Sequence, residues 1–349
     1  HHVKGVENVR IDVNLLLLRG NKGKPGAGPT PVRGHSNVQG QRTVGITEKT
    51  ELAPVEKLKE LYGFDPPTEK GLDTVETCQG IVDGSVRAFI GLGGNFLRAI
   101  PDTEKMETAW PRLDLTVNVA TKLNRSHLFP GRQAYLLPCL GRIERDVQQS
   151  GPQAVSMEDS TSCIHGSLGK AEPASEYLLS EPAIVGALAK RLLPPNPRVD
   201  WDSWVEDYGR IRDAIEATYP DKFKDFNQRL FKPGGFWKGN KAAERIWETQ
   251  SGKAEFLPPS GMSATGFTDK GGQYRLMTLR SNDQFNTTIY GYHDRFRGVK
   301  GTRDVLFMNA EDMMQEGLRE GEVVTLEGAS QDGRVRRRPG LIATVYNIP

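Results

Sequence analysis

Three cysteines in 349 residues, Cys78, Cys139 and Cys163, are too few and too scattered for a disulfide framework, and none stands at CxxC spacing. A reducing, cytoplasmic compartment is the expectation. An iron–sulfur cluster wants four thiolates in a tight pattern, which this set does not supply. Charge of one sign is missing too. Lys and Arg number 46 against 44 Asp and Glu, a net +2, so no global field draws nucleic acid or an anionic membrane. The longest strongly apolar run, Val13 to Leu18, falls far short of the roughly 20 residues of a bilayer span. His1-His2-Val3-Lys4 opens without the apolar stretch of a signal peptide, and His1-His2 reads equally as tag remnant or native sequence. GxSxG, HExxH and Walker patterns are absent. His165 and His293 have no partner at metal-ligand spacing, so no metal ligand is assigned.

What is present is length for two or three domains and abundant Gly (38) and Pro (22) set between periodic segments, the mark of a loop-rich fold. Residues 6–18 carry apolar positions at helical spacing and predict a helix with a broad buried face, closed by Gly20. A long Gly/Pro loop follows to residue 45, and loops of that length are usually functional or disordered. Helices are expected over 53–62, 72–81, 102–110, 181–193 and 202–218, the last with Asp202 or Ser203 as N-cap. Strands are expected over 86–90, 115–119 and 134–138. Strand, glycine turn, helix, strand is the pattern of a parallel α/β sheet. From about residue 272 short strands dominate (274–279, 305–308, 322–326, 341–345) around one helix at 310–316, a small β-rich domain.

Four segments could carry chemistry. Pro31-Val-Arg-Gly-His-Ser-Asn-Val-Gln-Gly40 offers a fixed cation, an imidazole, amides and glycines; an ordered surface loop with Arg33 in a salt bridge is an equal reading. Gly91-Leu-Gly-Gly-Asn-Phe96 after a strand could cradle a nucleotide or be only a tight turn, since it is not a full GxGxxG. Thr121-Lys-Leu-Asn-Arg-Ser-His127 could read a base edge or a phosphate, or be an ordinary polar loop with an N-cap. Thr278 to Thr288 is dense in hydrogen-bonding side chains, suited to a polyoxyanion or heteroaromatic ligand, or to an Asx/Ser-rich turn. Arg334, Arg336, Arg337 and Arg338 read as a solvated edge; Trp201, Trp204, Trp237 and Trp247 as packing anchors; Cys139 as structural; Glu144 and Asp146 as carboxylates without a defined partner.

Taken in order, Asn14 to Asn21, Lys24 to Gly28, Pro31 to Gly40, Gly93 to Phe96, Thr121 to His127, Leu137 to Asp146, Pro173 to Glu181, Ser251 to Phe256, Leu279 to Thr288 and Met308 to Val324 resemble the molybdopterin oxidoreductases, and within them the formate dehydrogenase alpha-subunit-like branch. The resemblance covers nearly the whole chain. It implies a bis-molybdopterin guanine dinucleotide cofactor with molybdenum or tungsten, a parallel-sheet α/β portion that holds dinucleotide, and a C-terminal double-psi β-barrel that is incomplete at its end. Carried over by position, Arg33 matches the arginine that orients a substrate carboxylate, and His35 stands where formate dehydrogenases carry glutamine. Gly34 and Asn37 fall among the cofactor contacts. Gly93, Gly94 and Asn95 match the nucleotide loop; Asn118, Thr121 and Lys122 fall near the guanine-reading strand end. Arg280, Ser281, Asn282, Gln284, Asn286 and Thr287 match the barrel segment that touches pterins and phosphates.

The implied organisation is residues 1–35 as the tail of a preceding α/β domain with an active-site loop, 36–262 as a guanine-dinucleotide-binding α/β portion, and 263–349 as a truncated barrel. The chain is thus expected to be a portion of a longer enzyme, with a 4Fe-4S cluster only in a missing N-terminal part. The portion alone is expected to be inactive. The expected substrate is a small anion, formate among the candidates, with an electron-transfer partner or subunit and neither nucleic acid nor a membrane span. The competing reading is a non-catalytic fragment that binds nucleotide or a partner. A nicotinamide dehydrogenase ranks last, because residues 91–96 lack a full glycine fingerprint and a downstream acidic ribose partner.

Overall fold

A computed structural model describes residues 4–32, 37–261, 271–285, 287–329 and 333–348. The chain divides into two units, His1–Lys270 and Gly271–Pro349. In the first, α1 (Gly5–Leu18) closes on Gly20 at φ +62°, whose N–H reaches Leu17 O while Asn21 N–H reaches Leu16 O. The expected buried face is not formed: no residue of α1 is buried, and Val6 and Leu18 are 67% and 73% exposed. Four consecutive leucines step by about 100° each around the helix, so its apolar surface is spread rather than gathered in one stripe. Polar ties hold α1 instead, with Asn14 Nδ2 donating to Leu257 O and Ser260 Oγ donating to Glu7.

Two helices, α2 (Val38–Thr43) and α3 (Val55–Tyr62), lead to α4 (Thr74–Asp83). Asp73 and Glu76 form a capping box at its start, and Gly84 ends it at φ +87°. Then come β1 (Ala88–Leu92), α5 (Phe96–Ala99), α6 (Thr103–Ala109), β2 (Leu115–Ala120) and β3 (Gln133–Pro138). The three strands form one sheet in the order β1-β2-β3, parallel throughout, with Phe89 opposite Thr116 and Val119 opposite Leu137. Alternation along the strands puts Phe89 and Val119 on opposite faces. Phe89 and Phe96 pack on the core of Ile81, Leu97, Met106, Trp110 and Leu113, while Val119 meets Cys139 and Ile184. Trp110, 1% exposed, is thus the buried tryptophan of this core, whereas Trp237 is exposed.

Short strands that hydrophobic pattern did not announce follow: β4 (Val147–Gln148) with β5 (Gly151–Pro152), and β6 (Val155–Glu158) with β7 (Cys163–Ser167). After α7 (Glu181–Leu192), capped by Ser180, the helix expected over 202–218 is two: α8 (Trp201–Glu206), capped by Asp200, and α9 (Tyr208–Thr218). Asp207 breaks it by turning extended and accepting Gly209 N–H. The short α10 (Pro220–Phe223) and α11 (Phe226–Leu230) bring Phe223, Phe226 and Leu230 onto Ile164 and Phe236, the latter in β8 (Phe236–Trp237), which pairs with β7.

In the second unit, β9 (Gln284–Phe285) and β10 (Thr288–Ile289) form a hairpin. The strands β11 (Val305–Met308), β12 (Val323–Ala329) and β13 (Val335–Val345) lie in the order β11-β13-β12, with β11 and β13 parallel. The α12 helix (Ala310–Gln315) is capped by Asn309. Residues 274–279 form no strand and lie exposed, contrary to expectation. Arg336, Arg337 and Arg338 of the arginine run lie on β13, where Arg337 pairs with Glu327 and Arg338 with Asp304 at the surface. Among the described residues no helix is long and apolar enough to cross a membrane. No group of three or more His, Cys, Asp or Glu among them could hold a metal ion.

Candidate functional site

The carboxyl ends of parallel strands share one edge of their sheet, where ligands of α/β proteins bind. Gly93 and Gly94 directly follow β1 and have φ of +73° and +81°, a region that a side chain disfavours. Gly93 N–H donates to Val119 O at 2.7 Å, so the turn continues the ladder. Asn95 Oδ1 accepts from Ser126 Oγ at 2.7 Å, and that oxygen accepts Leu97 N–H at 3.1 Å. Asn124 Nδ2 donates to Gly94 O at 2.8 Å, and Asn124 Oδ1 accepts Ser126 N–H at 3.0 Å. The loops after β1 and β2 are therefore stitched together, with Ser126 buried at the seam. His127 Nδ1 accepts Asn124 N–H at 3.2 Å, a role only an unprotonated nitrogen can fill, and burial holds its pKa below the usual imidazole value.

Around this seam the sheet edge gathers the expected nucleotide residues. Asn118 faces Gly91 in the β1–β2 register, and its Oδ1 lies 3.3 Å from where a Gly91 Cβ would stand. Thr121 and Lys122, both exposed, follow β2 immediately. The loop after β3 closes in at Gly141, where a Cβ would lie 4.0 Å from the Thr121 methyl. Glu144 fixes that loop, its two oxygens accepting Gly141 N–H and Ala174 N–H. Asp146 accepts from Gln148 and from the buried Tyr208 hydroxyl, so both carboxylates have partners after all. Burial and then Asp146 push the Tyr208 phenol far up, so it stays a neutral donor. Burial likewise raises the Cys139 thiol, with Glu181 and Glu144 adding to the effect.

Arg33, Gly34 and His35 lie outside the described residues, as does Asn286. Asn37 turns inward: at φ +62°, its Oδ1 accepts Glu158 N–H at 2.9 Å. Its amide folds over the first turn of α2, where a Cβ on Gly40 would come within 1.9 Å of Oδ1. Glu158, 2% exposed, receives Thr43 Oγ1 at 2.6 Å and pairs with Lys238 at 3.1 Å. Asn37 thus anchors α2 to β6 rather than simply presenting an amide outward. Sequence reading missed Glu158 and Lys238, whose partner Thr43 is 115 residues from Glu158.

In the second unit, Ser281 Oγ donates to Asn282 O at 3.3 Å, Gln284 lies on β9 and Thr287 in the turn to β10. Asp294, 3% exposed, accepts Asn282 N–H at 3.2 Å and Arg297 Nη1 at 2.7 Å. Burial opposes its charge, but the bonds from Arg297 and from Asn282 N–H outweigh burial and lower its pKa. Asn282 Nδ2 is buried without a hydrogen-bond partner. The Asp294/Arg297 pair was not foreseen; its i, i+3 acid–base spacing ahead of Gly298 was the available signal.

No protein-family model matches the chain. Protein YdeP of Escherichia coli strain K12 is 49% identical over 347 residues, 99% of this chain and 46% of that protein. A protein of Mycobacterium tuberculosis named an uncharacterized oxidoreductase is 42% identical over 362 residues, 100% of this chain and 45% of its own length. YrhE of Bacillus subtilis, provisionally named a formate dehydrogenase, is 29% identical over 144 residues, 38% of this chain and 14% of its own length. The chain spans about half the length of the first two.

Proposed function

We propose that this chain is the dinucleotide-holding portion of an oxidoreductase that uses a molybdopterin guanine dinucleotide cofactor and acts on a small anionic substrate of the formate class. The observation that carries the reading is the convergence of Gly93, Gly94, Asn95, Asn118, Thr121 and Lys122 at one carboxyl edge of a parallel sheet. Such an edge offers turn backbone, amides, a hydroxyl and a cation, the chemistry that a guanine and a pyrophosphate ask for. Two features fit the group. Where Cβ atoms at Gly93 and Gly94 would stand, there is open space, so backbone and ligand can approach closely. The orphaned Asn282 Nδ2 is a buried donor that wants an oxygen. Names given to relatives in Mycobacterium and Bacillus point to the same reaction class.

In this reading the first unit would hold the guanine through Asn118, Thr121 and Lys122 and the phosphates along Gly93–Asn95. Taken by itself, the second unit offers Ser281, Asn282, Gln284 and Thr287 as contacts for a pterin or a phosphate, within a segment read as part of a double-psi barrel. When bound, the cofactor supplies two-electron redox chemistry at molybdenum or tungsten. The chain's own work is to bind, orient and neutralise charge: Arg33, two residues before His35 in sequence, would offer a guanidinium fork to a substrate carboxylate. Metal analysis and acid extraction of the full-length protein test this. The expected result is molybdenum or tungsten with guanine nucleotide released in proportion. Neither metal nor guanine nucleotide would sink the reading, and guanine nucleotide without metal and without formate-dependent dye reduction would select the non-catalytic alternative.

A further inference from the structure

We infer that Asp294 is a positioning residue that poises Asn282 to donate a hydrogen bond to an oxygen of the bound dinucleotide cofactor, an inference that rests on the function proposed above. Asp294 is fixed from both sides. Its backbone pairs with Val299 in both directions, at 2.9 and 3.1 Å, and Oδ1 accepts Phe296 N–H and Arg297 N–H. The other oxygen takes Arg297 Nη1 and the backbone N–H of Asn282. Arg297 reaches back to Arg280 O at 3.4 Å, which ties the residues before Asn282 to the same knot.

The consequence is a corner whose backbone is locked and whose side chain is left over. Four buried side-chain atoms among the described residues lack a hydrogen-bond partner, one of them the Glu107 oxygen that pairs with Arg98, and Asn282 Nδ2 is the one in the second unit. A buried donor without an acceptor is unfavourable in the free protein and is recovered when an acceptor arrives. Phosphate and pterin oxygens are acceptors; an apolar ligand is not. A buried carboxylate beside a polyanion would ordinarily repel it. Here Arg297 neutralises Asp294, and N–H groups occupy both of its oxygens, so the corner presents a donor and not a charge.

The test uses the full-length protein, purified both from cells that make the cofactor and from cells that cannot. Asn282→Ala, Asp294→Ala and Asp294→Asn are compared by guanine nucleotide retained after prolonged dialysis and by the Tm of the cofactor-free form. For Asn282→Ala, retention falls about tenfold, the loss of one hydrogen bond, while the cofactor-free Tm stays level or rises because an orphaned donor is gone. Asp294→Ala falls as far, and Asp294→Asn lies between, because its amide oxygen still accepts an N–H. A residue that only supported the fold would lower the cofactor-free Tm in step with retention. Wild-type retention in either alanine variant overturns the inference and leaves the proposed function standing. A wild-type protein that releases no guanine nucleotide removes both. Should Asp294→Ala not fold, Asp294→Asn decides: retention below wild type with a level cofactor-free Tm supports the inference, and wild-type retention overturns it.

Discussion

The sheet edge of the first unit and the Asn282 corner of the second are built from the same polar residue types and leave them in opposite states. At the sheet edge Asn95, Asn124, Ser126 and His127 bond one another in a circuit that spans two loops. In the corner, Asp294 satisfies backbone groups and leaves the Asn282 amide nitrogen without a partner. On the proposed function, one region would be finished before a ligand arrives and the other would be completed by one. A preformed cradle contributes shape and exposed backbone, whereas an open valence contributes affinity that the free protein lacks.

The contrast can be broken most forcefully from behind. Trp110 packs in tilted geometry against Phe89 and Phe96, with ring centroids 4.8 and 5.7 Å away, beneath the start of the first loop. Trp110→Ala costs about 4 kcal/mol through lost burial and a residual cavity. Denaturant unfolding followed through the first unit should show the midpoint fall sharply; an unchanged midpoint would mean the cradle does not depend on that core. A finer cut is Ser126→Ala, which strips Leu97 N–H and Asn95 Oδ1 of a partner for about 2 kcal/mol. Hydrogen exchange at the Leu97 amide should accelerate while α12 keeps its protection.

The smallest effect is set by pH. His127 has a lowered pKa in the fold, so the folded state binds fewer protons than the unfolded chain. Its contribution is present above the unfolded value near 6.5 and is lost as pH falls through the folded one. Exchange in residues 124–127 should quicken on acidification across that window. In a His127→Gln variant it should not.

The regular framework was largely legible. The strands at 115–120 and 133–138 and the helices at 55–62, 74–83 and 181–192 follow from apolar runs bounded by glycine, proline or a capping residue. The first strand begins at Ala88, two residues late, because Val86 N–H turns back to Gly80 O and its side chain packs with the helix core. Nothing local marks β6–β7–β8, whose third strand lies some 70 residues beyond the second and pairs over only two residues. Glycines and amides at the sheet edge announce themselves by following strands. Glu158 and Asp294 do not, since a buried carboxylate is defined by partners that only the fold supplies.

Gly40 carries a genetic consequence. Every missense change at its codon adds at least a Cβ, and that atom would stand 1.9 Å from the oxygen with which Asn37 holds β6. A change there is expected either to expel Asn37 from its place or to distort the first turn of α2, and a second-site suppressor is expected at Asn37.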